Sequence, residues 1–200
     1  MGGHHEPQDA APPVPRRGER SDRRRNRARL LHAAQEVLAE HGPDAPMDEI
    51  ARRAGVGNAT LYRNFPDRDA LLDELFTDRF TALLGSTAQD TAEAPREQLR
   101  TALLRVALDQ TRDKAFAYAL GTLVDSMPRA RPAREQLLAA LGELLVRAQE
   151  AGAVNRSVTV EDLRLAVCAV AGGVTLAGHT ADEERFARTL IDGFLPTPER

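Results

Sequence analysis

Between Pro46 and Leu72 the chain reads PMDEIARRAGVGNATLYRNFPDRDALL, and two short helices crossing at a glycine turn account for that pattern. Met47, Ile50, Ala51 and Ala54 share one helical face, while Asp48, Glu49, Arg52 and Arg53 point away from it. Gly55 can take the positive φ that turns the chain, and Val56 can plug the angle between the helices. A further helix runs from Asn58 to Phe65, anchored by Leu61 and Phe65, before Pro66 ends it. Asp67 then caps the next helix, with Arg68 and Asp69 in its first turn. This is the sequence form of a helix-turn-helix, so the other segments must position that unit or control it.

With Leu61 and Phe65 facing inward, Asn58, Ala59, Thr60, Tyr62, Arg63 and Asn64 are left facing outward. Small residues let a helix approach a major groove closely. Asn pairs bidentately with adenine, Arg does so with guanine, and a Thr methyl packs on thymine. Thr and Tyr hydroxyls equally donate to phosphates and fix register. Arg68 lies beside the exposed amides of the following helix, where a phosphate is expected.

Upstream, a helix is predicted from Ser21, with Leu30, Leu31, Ala34, Val37 and Leu38 on its apolar face, ending at His41-Gly42-Pro43. Arginines crowd its start, among them Arg23, Arg24 and Arg25, where the helix dipole disfavours positive charge. Stability therefore does not explain them; contact with DNA phosphates is the preferred reading, and a solvated charged face the alternative. The formal net charge of −3 does not weigh against this, because phosphate attraction is a local effect and the arginines are clustered. Residues 1–20, rich in Pro, Gly and Arg and including His4 and His5, are expected to form a flexible basic arm.

DEIARRAGVG followed by ATLYRNFPDRDALL resembles the signature of the tetracycline-repressor (TetR) family: IA and AGV, then LY and F, then a basic residue and Leu. The resemblance is strong from Arg24 to about Phe76 and rests on helix count beyond. It implies a bacterial homodimeric repressor, with a three-helix DNA-binding domain followed by a helical domain that dimerises and binds an effector. Position by position, it implies DNA contact by Thr60, Tyr62, Arg63 and Asn64, and a phosphate contact by Arg68 in place of the usual lysine. Pro46, Gly57 and Ala59 depart from the pattern, and two hydroxyls that usually cap helices or donate to phosphates are absent.

An all-α chain of about nine helices is expected, since Ala and Leu dominate and aromatics are only 4%. The helix-turn-helix domain is assigned to residues 21–76 and the C-terminal dimerisation and effector domain to 77–200. Periodicity places helices at about 67–87, 95–112, 114–126, 131–151, 160–179 and 181–195. Candidate effector contacts are Phe80, Thr101, Arg105, Phe116, Tyr118, Thr122 and Asp125. The helix at 160–179 is apolar nearly all round, so more than one neighbour must cover it. Its adjacent Gly172 and Gly173 imply close approach of another helix or a kink. The family resemblance places the dimer interface on the last two helices, as a four-helix bundle, through Val167, Val170, Val174, Phe186, Leu190 and Phe194. Cys168, the only cysteine, is expected to be a small buried apolar residue.

No nucleophile-base pair, metal-spaced cluster or phosphate loop is read, so neither catalytic nor metal residues nor a cofactor are assigned. No signal peptide or membrane span is read, and a cytoplasmic location is expected. Double-stranded operator DNA, a second copy of the chain and a small effector are the expected partners. A small helical ligand-binding protein or enzyme with no DNA role is the alternative.

Overall fold

The computed structural model describes residues 17–42, 44–87, 92–111, 124–177 and 182–196. All regular structure among them is helical: α1 (Arg17–His41), α2 (Met47–Ala54), α3 (Asn58–Asn64), α4 (Arg68–Thr87) and α5 (Pro95–Thr111), then a 3-10 turn at Val124–Ser126, α6 (Ala130–Glu150), α7 (Val160–Leu176) and α8 (Glu183–Phe194). The expected helix at 114–126 lies outside the described residues except for that turn. His4, His5 and the arm up to residue 16 lie outside them too. Because α1 begins at Arg17, the last residues of the expected arm belong to the helix, and its start precedes Ser21.

Local chemistry explains the boundaries. Gly55 closes α2 at φ 63°, and the Val56 amide donates to the Ala51 carbonyl at 3.0 Å. Pro46 and Gly57 stand at the N-caps of α2 and α3 with no side-chain capping bond, which is the loss of hydroxyls visible in the sequence. Asp67 accepts from the Ala70 amide at 2.8 Å and starts α4. Thr159 and Asp162 form a reciprocal capping box at the start of α7. Hydrogen bonds from Thr159 hold the Asp162 carboxyl below its ordinary pKa.

One continuous core runs from Leu30 in α1 to Leu195 beyond α8. Helices α1 to α3 close around Leu30, Leu38, Ile50, Leu61 and Phe65, each 1% exposed or less. Full burial of such a side chain contributes about 1.5–3 kcal/mol. In the second half α5 packs on α6, α7 and α8, while α4 packs most extensively on α6. Helix α4 joins the two halves. Its residues from Leu71 to Phe76 are all buried, so neighbours cover it on every side there. Gly173 allows the close approach its sequence context implied, since a Cβ there would sit 2.7 Å from the Phe186 ring, whereas Gly172 faces open space.

Candidate nucleic-acid interface and effector cavity

Leu61 and Phe65 seat α3 in the core, and Asn58, Ala59, Tyr62 and Arg63 project from it into solvent. Tyr62 is 50% exposed, a large aromatic surface that the fold itself does not use. The Arg63 side chain lies along its own helix, donating to the Ala59 carbonyl and the Thr60 hydroxyl, both at 3.0 Å. Thr60, Arg63 and Asn64 line an open cleft shared with Asp22, Arg23 and Asn26 of α1. Arg23 and the recognition helix therefore face one space.

Asn64 and Arg68 stand differently from the sequence expectation. Asn64 is half-buried, its amide donates to the Thr60 carbonyl at 2.7 Å, and its Oδ1 is buried with no hydrogen-bond partner. Arg68 is half-buried and donates to the Ala45 carbonyl, tying the start of α4 to the loop before α2. Both side chains are thus held against backbone carbonyls of the protein, while Asn64 also lines the cleft shared with Arg23.

Most arginines of the domain are similarly engaged. Arg52 pairs with Glu49 at 2.5 Å and Arg53 with Glu40 at 2.8 Å. Those hydrogen bonds lower the pKa of Glu49 and Glu40 and raise that of both arginines. Arg29 donates to the Gly55 carbonyl at 3.3 Å and lies against that turn. Arg25 is 3.7 Å from Asp22. Among the described residues Arg23 and Arg24 make no ion pair, and both are exposed.

Arg27 has a role that sequence reading missed. Its guanidinium lies 4.6 Å from the centre of the Phe65 ring and donates to the Asn64 carbonyl at 3.1 Å and to the Glu74 carboxylate. Burial, and then the charge of Arg129, lower its pKa from the ordinary arginine value. Glu74 also accepts from Arg129 at 2.9 Å, and the adjacent Asp73 accepts from the Arg129 and Ala130 amides at 3.1 and 2.8 Å, capping α6. One turn of α4 thus holds α1 and α3 through Arg27 and holds the start of α6 through Arg129. The signal lay in two carboxylates interrupting an apolar run, but their partners are too distant in sequence to be read.

The second half of the chain contains an apolar cavity of about 40 Å³, lined by Phe80, Val106, Gln110, Arg134, Leu137, Leu138, Leu141, Leu163, Arg164, Val167 and Cys168. Of the sequence-derived effector candidates, Phe80 is on its wall. Asp125 is exposed and reaches its rim by pairing with Arg134 at 2.6 Å. Thr101 and Arg105 line a separate surface cleft with Ser86 and Thr87, and Arg105 donates to the Ser86 carbonyl at 2.8 Å. They face away because the opposite stripe of α5, with Leu99, Leu103 and Val106, is the one in the core. Phe116, Tyr118 and Thr122 lie outside the described residues. Cys168 is half-buried on the cavity wall rather than in the core.

The expected dimer residues divide by helix phase. Val167, Val170 and Val174 are buried within their own chain, 4%, 0% and 1% exposed. The outward stripe of α7 is instead Leu165, Ala169, Gly172 and Leu176, with Leu165 47% and Leu176 90% exposed. On α8, Phe186, Leu190 and Phe194 are half-buried.

Comparison with known proteins agrees with this architecture. Residues 30–75 match the family described as bacterial regulatory proteins, tetR family, and residues 94–196 match the SbtR-like transcriptional regulator C-terminal domain. The HTH-type transcriptional repressor LfrR of Mycolicibacterium smegmatis is 39% identical over 88 residues, 44% of this chain and 45% of LfrR. The chain spans about half the length of the curated relatives it matches. Among solved structures, a TetR regulatory protein of Mycobacterium vanbaalenii is 34% identical with a TM-score of 0.53, covering 88% of this chain and 99% of that one. A TetR transcriptional regulator of Streptomyces coelicolor is 31% identical with a TM-score of 0.60, covering 86% and 99%. With its helix-turn-helix and its C-terminal helices both matched, the chain belongs to the TetR family of bacterial regulatory proteins.

Proposed function

We propose that this protein is a cytoplasmic, homodimeric repressor, not an enzyme, that leaves a palindromic operator when a small effector fills the cavity beside Phe80. The observation that carries the reading is the exposed α3 face of Asn58, Ala59, Tyr62 and Arg63, set beside Arg23 and Arg24, which make no ion pair among the described residues. Base readout falls to Arg63 and Asn58, and phosphate contact to the α1 arginines. Dimerisation uses the Leu165, Ala169, Gly172 and Leu176 stripe, whose spacing of four, three and four residues suits a helical seam. Two recognition helices about 34–36 Å apart would then read successive major grooves.

Helix α4 couples cavity to DNA, since its Phe80 lines the first and its Glu74 holds Arg27. A coupling free energy of about 1–3 kcal/mol is typical of such linkage. Selection of bound sequences from random DNA tests the reading, and a palindromic consensus is expected. Arg63→Ala should then relax base preference at one position of each half-site. Arg24→Ala should weaken all sequences alike and reduce the salt slope by about one for each phosphate that is no longer neutralised. Equal operator binding by both variants and wild type overturns the assignment.

A further inference from the structure

Building on the effector cavity just assigned, we infer that its ligand is a small carboxylate with a short apolar body, its head group held by Arg134. The walls are Phe80, Val106, Leu137, Leu141, Leu163 and Val167, which recognise hydrocarbon. Two cations stand among them, and their hydrogen bonds distinguish them. Arg164 is engaged along its own helix, with Nε and Nη2 donating to Glu161 at 2.8 and 2.5 Å. Arg134 sends Nη2 to Asp125 at 2.6 Å, but its Nε is buried and has no hydrogen-bond partner.

A buried donor left unmade is unfavourable, and a ligand oxygen accepting from it removes that penalty. A carboxylate does so best, because guanidinium-carboxylate bonds are charge-assisted. Asp125 competes from the solvent side, its side chain 80% exposed. Arg134 can therefore shift from the exposed carboxylate to a buried one. At about 40 Å³ the cavity is smaller than a single ring or a short acyl chain, so a short ligand enters only as wall side chains such as Phe80 move aside, and a long acyl tail demands a larger displacement still.

The test titrates the full-length protein with hexanoate and with the uncharged hexanamide, by calorimetry, with operator release followed by fluorescence anisotropy. Hexanoate should bind at least about tenfold more tightly than hexanamide. Arg134→Gln should abolish that preference, and Asp125→Asn, which removes the competing carboxylate, should strengthen hexanoate binding severalfold. The opposite signs of the two variants separate head-group recognition from a folding defect. Equal binding of acid and amide, an Arg134→Gln protein that still prefers the acid, or no binding of hexanoate each overturns the inference. If binding follows the expected pattern while operator affinity does not change, the ligand class stands and the effector-released repressor fails.

Discussion

Arg27 and Arg23 sit one turn apart on α1 and are chemically identical in sequence, yet alanine at each should fail in a different assay. The Glu74 side chain is 8% exposed and those of its partners Arg27 and Arg129 are 36% and 59% exposed. Removing one partner of a buried pair costs about 3–5 kcal/mol. Because the solvated Arg129 remains, the lower end, about 3 kcal/mol, is appropriate. Removal of the cation from the Phe65 ring adds about 0.5–1 kcal/mol, and removal of the bond to the Asn64 carbonyl about 1 kcal/mol. The sum for Arg27→Ala is about 4–5 kcal/mol, which for a chain of this size lowers Tm by about 8–20 °C. Arg23→Ala removes no internal bond and should change stability by less than about 0.5 kcal/mol while lowering DNA affinity and its salt slope. Thermal denaturation by circular dichroism and salt-dependent anisotropy titrations measure the two effects. Adding Glu74→Leu to Arg27→Ala should recover part of the loss, because the buried carboxylate that Arg27→Ala leaves with Arg129 as its remaining cation is gone. If Arg27→Ala melts within about 2 °C of wild type, or if the double variant is the least stable of all, the assignment of Glu74 as a buried anchor is wrong.

Leu165→Glu should shift the monomer-dimer equilibrium more than about tenfold toward monomer in sedimentation experiments while leaving the helical content intact. Val167→Glu, on the same helix but facing inward, should unfold the C-terminal half; dimer loss by Val167→Glu alone would reverse the assigned phase of α7. Gly55→Ala places a side chain at φ 63° and a Cβ 2.6 Å from Arg29, and should cost about 1 kcal/mol or more in chemical denaturation. A cost near zero would show that the turn adjusts freely. The hydrogen bond from Arg100 at 2.6 Å holds the Asp192 carboxyl below its ordinary value of 3.8. Stability from this pair is therefore present above about pH 4 and lost as pH falls through the depressed value. Asp192→Asn should be less stable than wild type at neutral pH and approach it in acid.

The helix-turn-helix is legible in the sequence because its information is local. Gly55 needs positive φ, Leu61 and Phe65 recur at helical spacing, and Asp67 caps the next helix, and each judgement uses residues within one or two turns. The features that sequence misplaces depend on contacts across the chain. The bond from Arg68 to the Ala45 carbonyl is not legible, because nothing in the neighbourhood of Arg68 reveals that Ala45 lies within its reach. Asn64 is a local exception, its amide back-bonding to the Thr60 carbonyl one turn earlier while the side chain stands half-buried. On α7 the apolar character runs nearly all round, so periodicity sets no phase. Val167, Val170 and Val174 face the core, while Leu165, Ala169, Gly172 and Leu176 face outward, where small residues leave room for a partner backbone.

Burial is also what makes α4 the place where the two halves must be coupled. An amphipathic helix that serves one domain exposes a polar stripe, but from Leu71 to Phe76 this one exposes none, and Asp73 and Glu74 are buried with the rest. Burial of two adjacent carboxylates is unfavourable unless each is bonded, and here the bonds come from different sides: Arg27 below, and Arg129 with the α6 amides above. Phe80 follows Glu74 by six residues, about 9 Å along the axis, and lines the cavity. A ligand that displaces Phe80 cannot tilt α4 without moving Glu74, and Glu74 cannot move without either breaking its bonds to Arg27 or carrying α1 and the end of α3 with it. Under the proposed effector reading, these bonds are the route by which displacement of Phe80 would reach α1 and the end of α3.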